Sequence, residues 1–251
     1  MMAALLRSAA TAMVLALACQ GAAAAEPAAK HKPQTAKAHA AAPAKAAPAQ
    51  SAQAEPNMDE LKAKAASGDA SAQVKLGEAL HEGRGIARDE AAAAEWFRKA
   101  ADQGSPQGLA ALATLYASGR GVAADPAKAA ELMRQAAEKG SVPASYSLGI
   151  MYLRGQGVAA DRAQALSWLR QAADAKHAPA QYALGLLNVS RDAPSQDGAE
   201  AVKWLSLAAT HGDSEMRTKA LEKIKVISQA IGQDKTQEGL EAARVWLYSH
   251  S

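Results

Sequence analysis

The chain predicts an all-α fold, a solenoid of two-helix repeats with a period of 36 residues, and three observations carry that prediction. The first is a constant register: Leu76, Leu112, Leu148 and Leu184, then Asp89, Asp125, Asp161 and Asp197, then the alanine pairs beginning at Ala100, Ala136, Ala172 and Ala208. No insertion breaks the count. The second is apolar spacing of three and four residues in both halves of each repeat, the signature of amphipathic helices. The third is the turn between the halves, Gly83-Arg84-Gly85-Ile86, Gly119-Arg120-Gly121-Val122 and Gly155-Gln156-Gly157-Val158. Such units cannot bury an apolar face alone, so they stack.

Composition agrees and excludes some functions. The hydrophobic fraction of 49% is mostly alanine, with one Phe, five Tyr and four Trp as large anchors, so burial must come from close helix approach. The net charge of +3 comes from the first part of the chain, because residues 57–251 hold 23 basic and 23 acidic residues. That neutral balance lacks the basic face of a nucleic-acid binder.

Residues 1–25 read as a secretory signal peptide: Arg7, an apolar run from Ala9 to Ala18, and small residues Ala22 to Ala25 before Glu26-Pro27. The run is shorter than the ~20 residues that a membrane-spanning helix needs. Cleavage after Ala25 predicts export to a bacterial periplasm. Leu15-Ala16-Leu17-Ala18-Cys19 also resembles a relaxed lipobox, in which Cys19 would be lipidated and the protein would be a membrane-anchored lipoprotein. Only in that case does the chain meet a membrane. Residues 26–56 are rich in Ala, Pro and Lys without a large apolar group, and are expected to be a disordered linker.

The repeat array is expected over residues 57–212, as a half repeat followed by four units. The half repeat, from Asp59 to Gly68, acts as a cap. The first helix of each unit is expected from Ser71 to Glu82, Pro106 to Ser118, Pro143 to Arg154 and Pro179 to Val189. The turn glycines suit positive φ, and the β-branched residue plugs back into the core. The second helix starts at the recurring Asp as N-cap, with Pro126 following Asp125 at the first helical position. It ends near Gly104, Gly140, Lys176 and Gly212, and Lys176 predicts a looser junction. Its buried stripe is read as small-large-small: Ala93-Trp96-Ala100, Ala129-Leu132-Ala136, Ala165-Trp168-Ala172 and Ala201-Trp204-Ala208. On that reading, truncating Trp168 costs ~3–5 kcal/mol. The fourth unit has lost its turn glycines, reading Arg191-Asp192-Ala193-Pro194. Residues 213–251 are expected to form capping helices, one from Asp213 to about Ala230 and one from Thr236 to Tyr248, with Leu240, Ala243, Trp246 and Leu247 facing inward.

The pattern A-x-x-x-L-G-x-x-Y, G-x-G-V, D-x-x-x-A-x-x-W and A-A-x-x-G, carried in the third unit by Ala144, Leu148, Gly149, Tyr152, Gly155, Gly157, Val158, Asp161, Ala165, Trp168, Ala172 and Ala173, resembles the Sel-one-like repeat (SLR) family of the tetratricopeptide-like superfamily. The resemblance covers about residues 59–212. It implies a right-handed superhelix and a role as adaptor or regulator in protein complexes, in bacteria often at the cell envelope. It implies no catalytic residue. Some cysteine-rich relatives are described as penicillin-binding or β-lactam-hydrolysing, and this chain departs from them in having no repeat cysteine.

Chemistry is sparse. The histidines His31, His39, His81, His177, His211 and His250 lack metal-ligand spacing, Gly83-x-Gly85 is a repeat turn rather than a phosphate loop, and neither G-x-S-x-G nor S-x-x-K occurs. No catalytic residue, metal or cofactor is expected. The better lead is the face of each first helix opposite Leu76, at about 100° per residue. It reads Ser71, Val74, Glu78 and His81, then Gln107, Ala110, Thr114 and Ala117, then Pro143, Tyr146, Ile150 and Leu153, then Pro179, Tyr182, Leu186 and Val189. The last two units are apolar there. Tyr146, Ile150, Leu153, Tyr182, Leu186 and Val189 are therefore the candidate partner-binding residues of a concave face that takes a helix or extended peptide of an envelope protein. Coverage of this groove by the C-terminal helices is the opposing expectation. A lipid-anchored scaffold of an envelope export or secretion machine and a hydrolase acting on a β-lactam or cell-wall substrate are the alternatives.

Overall fold

The structure, a computed structural model, describes residues 57–190 and 197–250. The signal-peptide and linker expectations, Cys19 and the Arg191–Pro194 turn lie outside the described residues. Those residues form eleven helices and no strand. They are α1 (Met58–Ala66), α2 (Ala70–Glu82), α3 (Glu90–Asp102), α4 (Pro106–Ser118), α5 (Pro126–Glu138), α6 (Val142–Arg154), α7 (Arg162–Asp174), α8 (Ala178–Asn188), α9 (Gly198–His211), α10 (Ser214–Ile231) and α11 (Gln233–Ser249). Consecutive helices pack against one another, so α2–α3, α4–α5, α6–α7 and α8–α9 are four stacked units preceded by α1. None of the helices is long and apolar enough to cross a membrane.

Local chemistry sets most of the helix starts. Asp89, Asp125, Asp161 and Asp197 each accept a hydrogen bond from the backbone N–H three residues on, at 2.9, 2.9, 3.0 and 3.1 Å. The same aspartates close the turn: their backbone N–H groups reach nine residues back, to the carbonyls of Leu80 (2.9 Å), Tyr116 (2.9 Å) and Tyr152 (3.1 Å) in the first three units. Asp69, Ser105 and Ser141 cap the first helices in the same manner, whereas His177 makes no side-chain cap. Ile86 and Val122 pack on the core as the turn pattern predicts.

Two junctions differ from expectation. Lys176 adopts φ 63° and so keeps the tight left-handed turn of its glycine counterparts Gly104 (78°) and Gly140 (86°). Gly212, with φ −84°, is the one that departs. The turn at Lys176 holds because its N–H and that of His177 bond to the carbonyls of Ala173 and Ala172 at 3.0 and 3.1 Å, the same pattern as at Gly104.

The core stripe also differs. In the first and third units the deepest large residue of the second helix follows the tryptophan position, with Phe97 and Leu169 buried and Trp96 and Trp168 half-exposed, while in the second and fourth units both positions are buried, Leu132 with Met133 and Trp204 with Leu205. Trp96 lies under the Lys99 ammonium, 3.9 Å from the ring centroid. Opposite the buried residues stand Gly77, Gly149 and Gly185 of the first helices, where an added Cβ would fall 2.5 to 2.7 Å from Phe97, Leu169 and Leu205. The second unit carries Ala113 against Met133, exchanging a smaller hole for a more pliable side chain. This pairing explains why the motif needs Gly after Leu148.

At the C-terminal end, α10 begins in phase with a fifth repeat and runs on for 18 residues. Both α10 and α11 pack on α9. Gly239 brings α11 against the backbone of Ala199, and Ala243 and Trp246 are buried. Leu247 is half-buried, and Leu240 is exposed rather than inward. Trp246 stacks on His250 (4.1 Å between centroids) and meets His211 and Trp204 edge-on at 5.7 and 6.5 Å. Under this helix Trp204 is only 2% exposed.

Candidate functional site

The recurring residues hold the array, so a site must be sought where the repeats diverge. On the first helices, the exposed positions of the first two units are Ser71, Lys75, Glu78, Glu82, Gln107, Thr114, Ala117 and Ser118, polar apart from the small Ala117. In the third unit Tyr146, Ile150 and Leu153 of α6 are half-buried and pack on one cluster with Leu169, Leu184 and Trp204. The Tyr146 ring lies 5.1 Å from that of His177 at the start of α8, tilted by 46°. Burial pushes the Tyr146 phenol pKa up against the opposing pull of Arg154, and burial pushes the His177 imidazole down. His177 Nδ1 is buried without a hydrogen-bond partner among the described residues.

Tyr182 stands at the equivalent place in α8 but has other neighbours. It packs on Ala201, Leu205 and Ala208 of α9 and on Ala220 and Ile227 of α10. Burial raises its phenol pKa, with Lys219 of α10 opposing and Glu222 reinforcing. Each first-helix face thus looks toward the following unit, and α10 supplies that neighbour for Tyr182. Leu186 is half-buried, and Val189, at the C-cap of α8, is 37% exposed. The structure therefore brings Tyr146, Ile150 and Leu153 together, places Leu186 and Val189 on the next helix, and seats Tyr182 beneath α10. Val74, on the corresponding face of the first unit, belongs to the core.

Two polar assemblies lie outside the residues that the sequence pattern singles out as a site. Gln181, fully buried, donates from Nε2 to the Ala173 carbonyl (2.9 Å) and accepts at Oε1 from His211 Nδ1 (3.0 Å). Gln73 does the same three repeats earlier, donating to Ala65 at 3.2 Å and accepting from Gln103 at 2.7 Å. The shared 108-residue offset is the signal that could have found this pair. The second assembly centres on Glu90, at the first turn of α3 and 20% exposed. It accepts from Arg120 of the next turn (2.6 and 3.1 Å), from Arg88, and meets His81 Nδ1 at 2.6 Å. Desolvation pushes its carboxyl up, and the hydrogen bonds from Arg88, Arg120 and His81 outweigh this, holding it at about 2. A carboxyl depressed on folding stabilises the fold above its unfolded value and loses that contribution as pH falls. We therefore expect the melting-temperature advantage of wild type over Glu90→Gln, present at neutral pH, to shrink between pH 4.5 and about 2. A pH-independent difference in paired thermal melts would refute the assignment.

Among the described residues no group of three or more His, Cys, Asp or Glu could hold a metal ion.

Comparison with known proteins places this geometry. No curated protein matches the chain. Among solved structures, a protective antigen of uropathogenic Escherichia coli displaying an SLR fold is 31% identical with a TM-score of 0.65, over 76% of this chain. The match spans 41% of that protein's length. A Sel1 repeat protein from Oxalobacter formigenes is 38% identical over 50% of this chain and 94% of its own, with a TM-score of 0.46. A putative Sel1 repeat protein from Klebsiella pneumoniae is 25% identical over 75% of this chain and 91% of its own, with a TM-score of 0.49. The Sel1 repeat profile matches residues 70–105, 106–141, 142–177 and 178–213, whose starts coincide with the first residues of α2, α4, α6 and α8. With four such repeats covering more than half of its length and arranged as a right-handed α–α solenoid, the chain belongs to the Sel1 repeat family.

Proposed function

We propose that this solenoid is a non-enzymatic adaptor of the bacterial cell envelope, binding a protein or peptide through the first-helix face of its third and fourth units. Sel1 repeat solenoids are commonly protein-binding scaffolds. The observation that carries the finer reading is the change of character along one face. Ser71, Glu78, Gln107 and Thr114 give way to Ile150, Leu153, Leu186 and Val189, which keep part of their surface in water. Partly exposed apolar groups that share one face are what a partner can cover. What supports export to the periplasm is the signal-peptide pattern of residues 1–25 with its small residues Ala22 to Ala25.

A photo-reactive residue placed at Leu153 or Val189 in the exporting bacterium tests this. We expect a discrete protein adduct from these positions and none from Arg170 of α7 or Ser71 of α2, both exposed. Adducts arising from Arg170 and not from Leu153 or Val189 would move the interface to the other helix layer.

A further inference from the structure

The second unit is the one that lacks a tryptophan in its second helix. Trp96, Trp168 and Trp204 occupy equivalent positions in the other units, and Leu132 stands there in α5. Elsewhere the indole fills space between its own unit and the one before. Trp168 packs on a cluster containing Ala137 and Leu148 together with Tyr152, and Trp204 is buried with Ala173 and Leu184. The counterparts of those neighbours in the second unit are Ala101, Leu112 and Tyr116, and they line an open cavity of about 290 Å³ together with Leu109 and Leu132. A leucine has replaced an indole while the rest of the indole's surroundings, with Leu109 added, were retained. The cavity is larger than the ~150 Å³ space that admits benzene and lies near the lower end of ligand pockets.

Its rim has a sign. Arg98 and Lys128 face the opening with Asp102, so two cations meet one carboxylate. Neither cation has a carboxylate within 4 Å among the described residues; Lys128 acts on Glu131 only at longer range, and Glu131 is itself held by Arg134 at 2.7 Å. The corresponding positions are Arg134, Gln164 and Glu138 in the third unit and Arg170, Glu200 and Asp174 in the fourth, so the paired cations coincide with the missing indole.

We infer that the cavity between the first and second units is a receptor for a tryptophan side chain of a partner peptide whose flanking residues are acidic. The partner's indole takes the place that each of the other units fills from its own chain. Arg98 and Lys128 pair with the flanking carboxylates, a contact that sets preference more than strength. This site is separate from the first-helix face of the third and fourth units and stands or falls independently of it.

The experiment uses the purified chain with two tripeptides, acetyl-Asp-Trp-Glu-amide and acetyl-Lys-Trp-Lys-amide, followed by methyl NMR of labelled leucines. The acidic peptide is expected to shift Leu109, Leu112 and Leu132 at millimolar concentration and to bind at least ~3-fold more tightly than the basic one at low salt. Leu132→Trp fills the cavity from within. It is expected to abolish those shifts and to melt no lower than wild type, although most enlargements of a packed site destabilise. Absence of leucine shifts, unchanged binding to Leu132→Trp, equal affinity for the two peptides, or a clear drop in the melting temperature of Leu132→Trp would each overturn the inference.

Discussion

Gly157→Ala is expected to lower the thermal midpoint by roughly 6–12 °C, about three times the effect of Gly140→Ala. Both glycines have positive φ, 72° and 86°, so both substitutions carry the left-handed penalty of ~1 kcal/mol. They differ in what surrounds them. At Gly140 an added Cβ meets nothing within 4 Å, whereas at Gly157 it would overlap the carbonyl oxygen of Pro126, at the start of the preceding unit's second helix. Gly121 sits against Glu90 in the same way. The second turn glycine is thus the point where one unit docks on the last, and a methyl there forces the units apart at a further ~2 kcal/mol. Equal melting shifts for the two variants would show that only φ matters.

Leu169→Ala is expected to cost ~3 kcal/mol and Trp168→Ala only ~1–2 kcal/mol, the reverse of what side-chain size suggests. Leu169 has no exposed surface and closes on Gly149, while Trp168 remains half-exposed. The same contact makes a cycle informative. Gly149→Ala should destabilise, because its Cβ would lie 2.7 Å from the Leu169 side chain, and adding Leu169→Met should restore part of the loss by recreating the second unit's Ala113 and Met133 pair. Chemical denaturation of the four proteins measures this. Additive losses would mean that the two positions do not share the packing described.

Much of this architecture was written in the chain because its determinants are local. An Asp that bonds to the N–H three residues on, and a Gly at positive φ, act within a few residues and recur with the repeat, so caps and turns could be read directly. Packing partners lie a half repeat away, and no local pattern marks them. Trp168, the large member of its small-large-small stripe, is expected in the core and is half-exposed. The next residue is deeper, because Gly149 across the interface leaves a hole for it. Lys176 was expected to loosen its turn, yet the backbone bonds of the junction hold it in the conformation of a glycine, and its ammonium reaches the His250 carbonyl at 2.5 Å.

The candidate site was legible only as a list of positions. Helical geometry put Tyr146 and Tyr182 in equivalent places, and they are equivalent along the repeat. Their surroundings are not, because the unit after Tyr182 is the long helix α10 rather than another short repeat helix. A double tyrosine-to-alanine variant would consequently remove core packing at Tyr182 along with any contact surface, and it cannot separate binding from folding. The charged hub at Glu90 was invisible for a related reason: Arg120 lies 30 residues away and belongs to the next turn.

The division of labour proposed for the array gives its recurring positions to packing and the divergent positions of the third and fourth units to the partner. Its most direct test gives the fourth unit the residues of the first, Leu186→Glu with Val189→His, after Glu78 and His81, and measures the adduct formed by a photo-reactive residue at position 153. The account predicts that the adduct disappears while the melting temperature stays within a few degrees of wild type. An adduct of undiminished yield from the exchanged protein would contradict it.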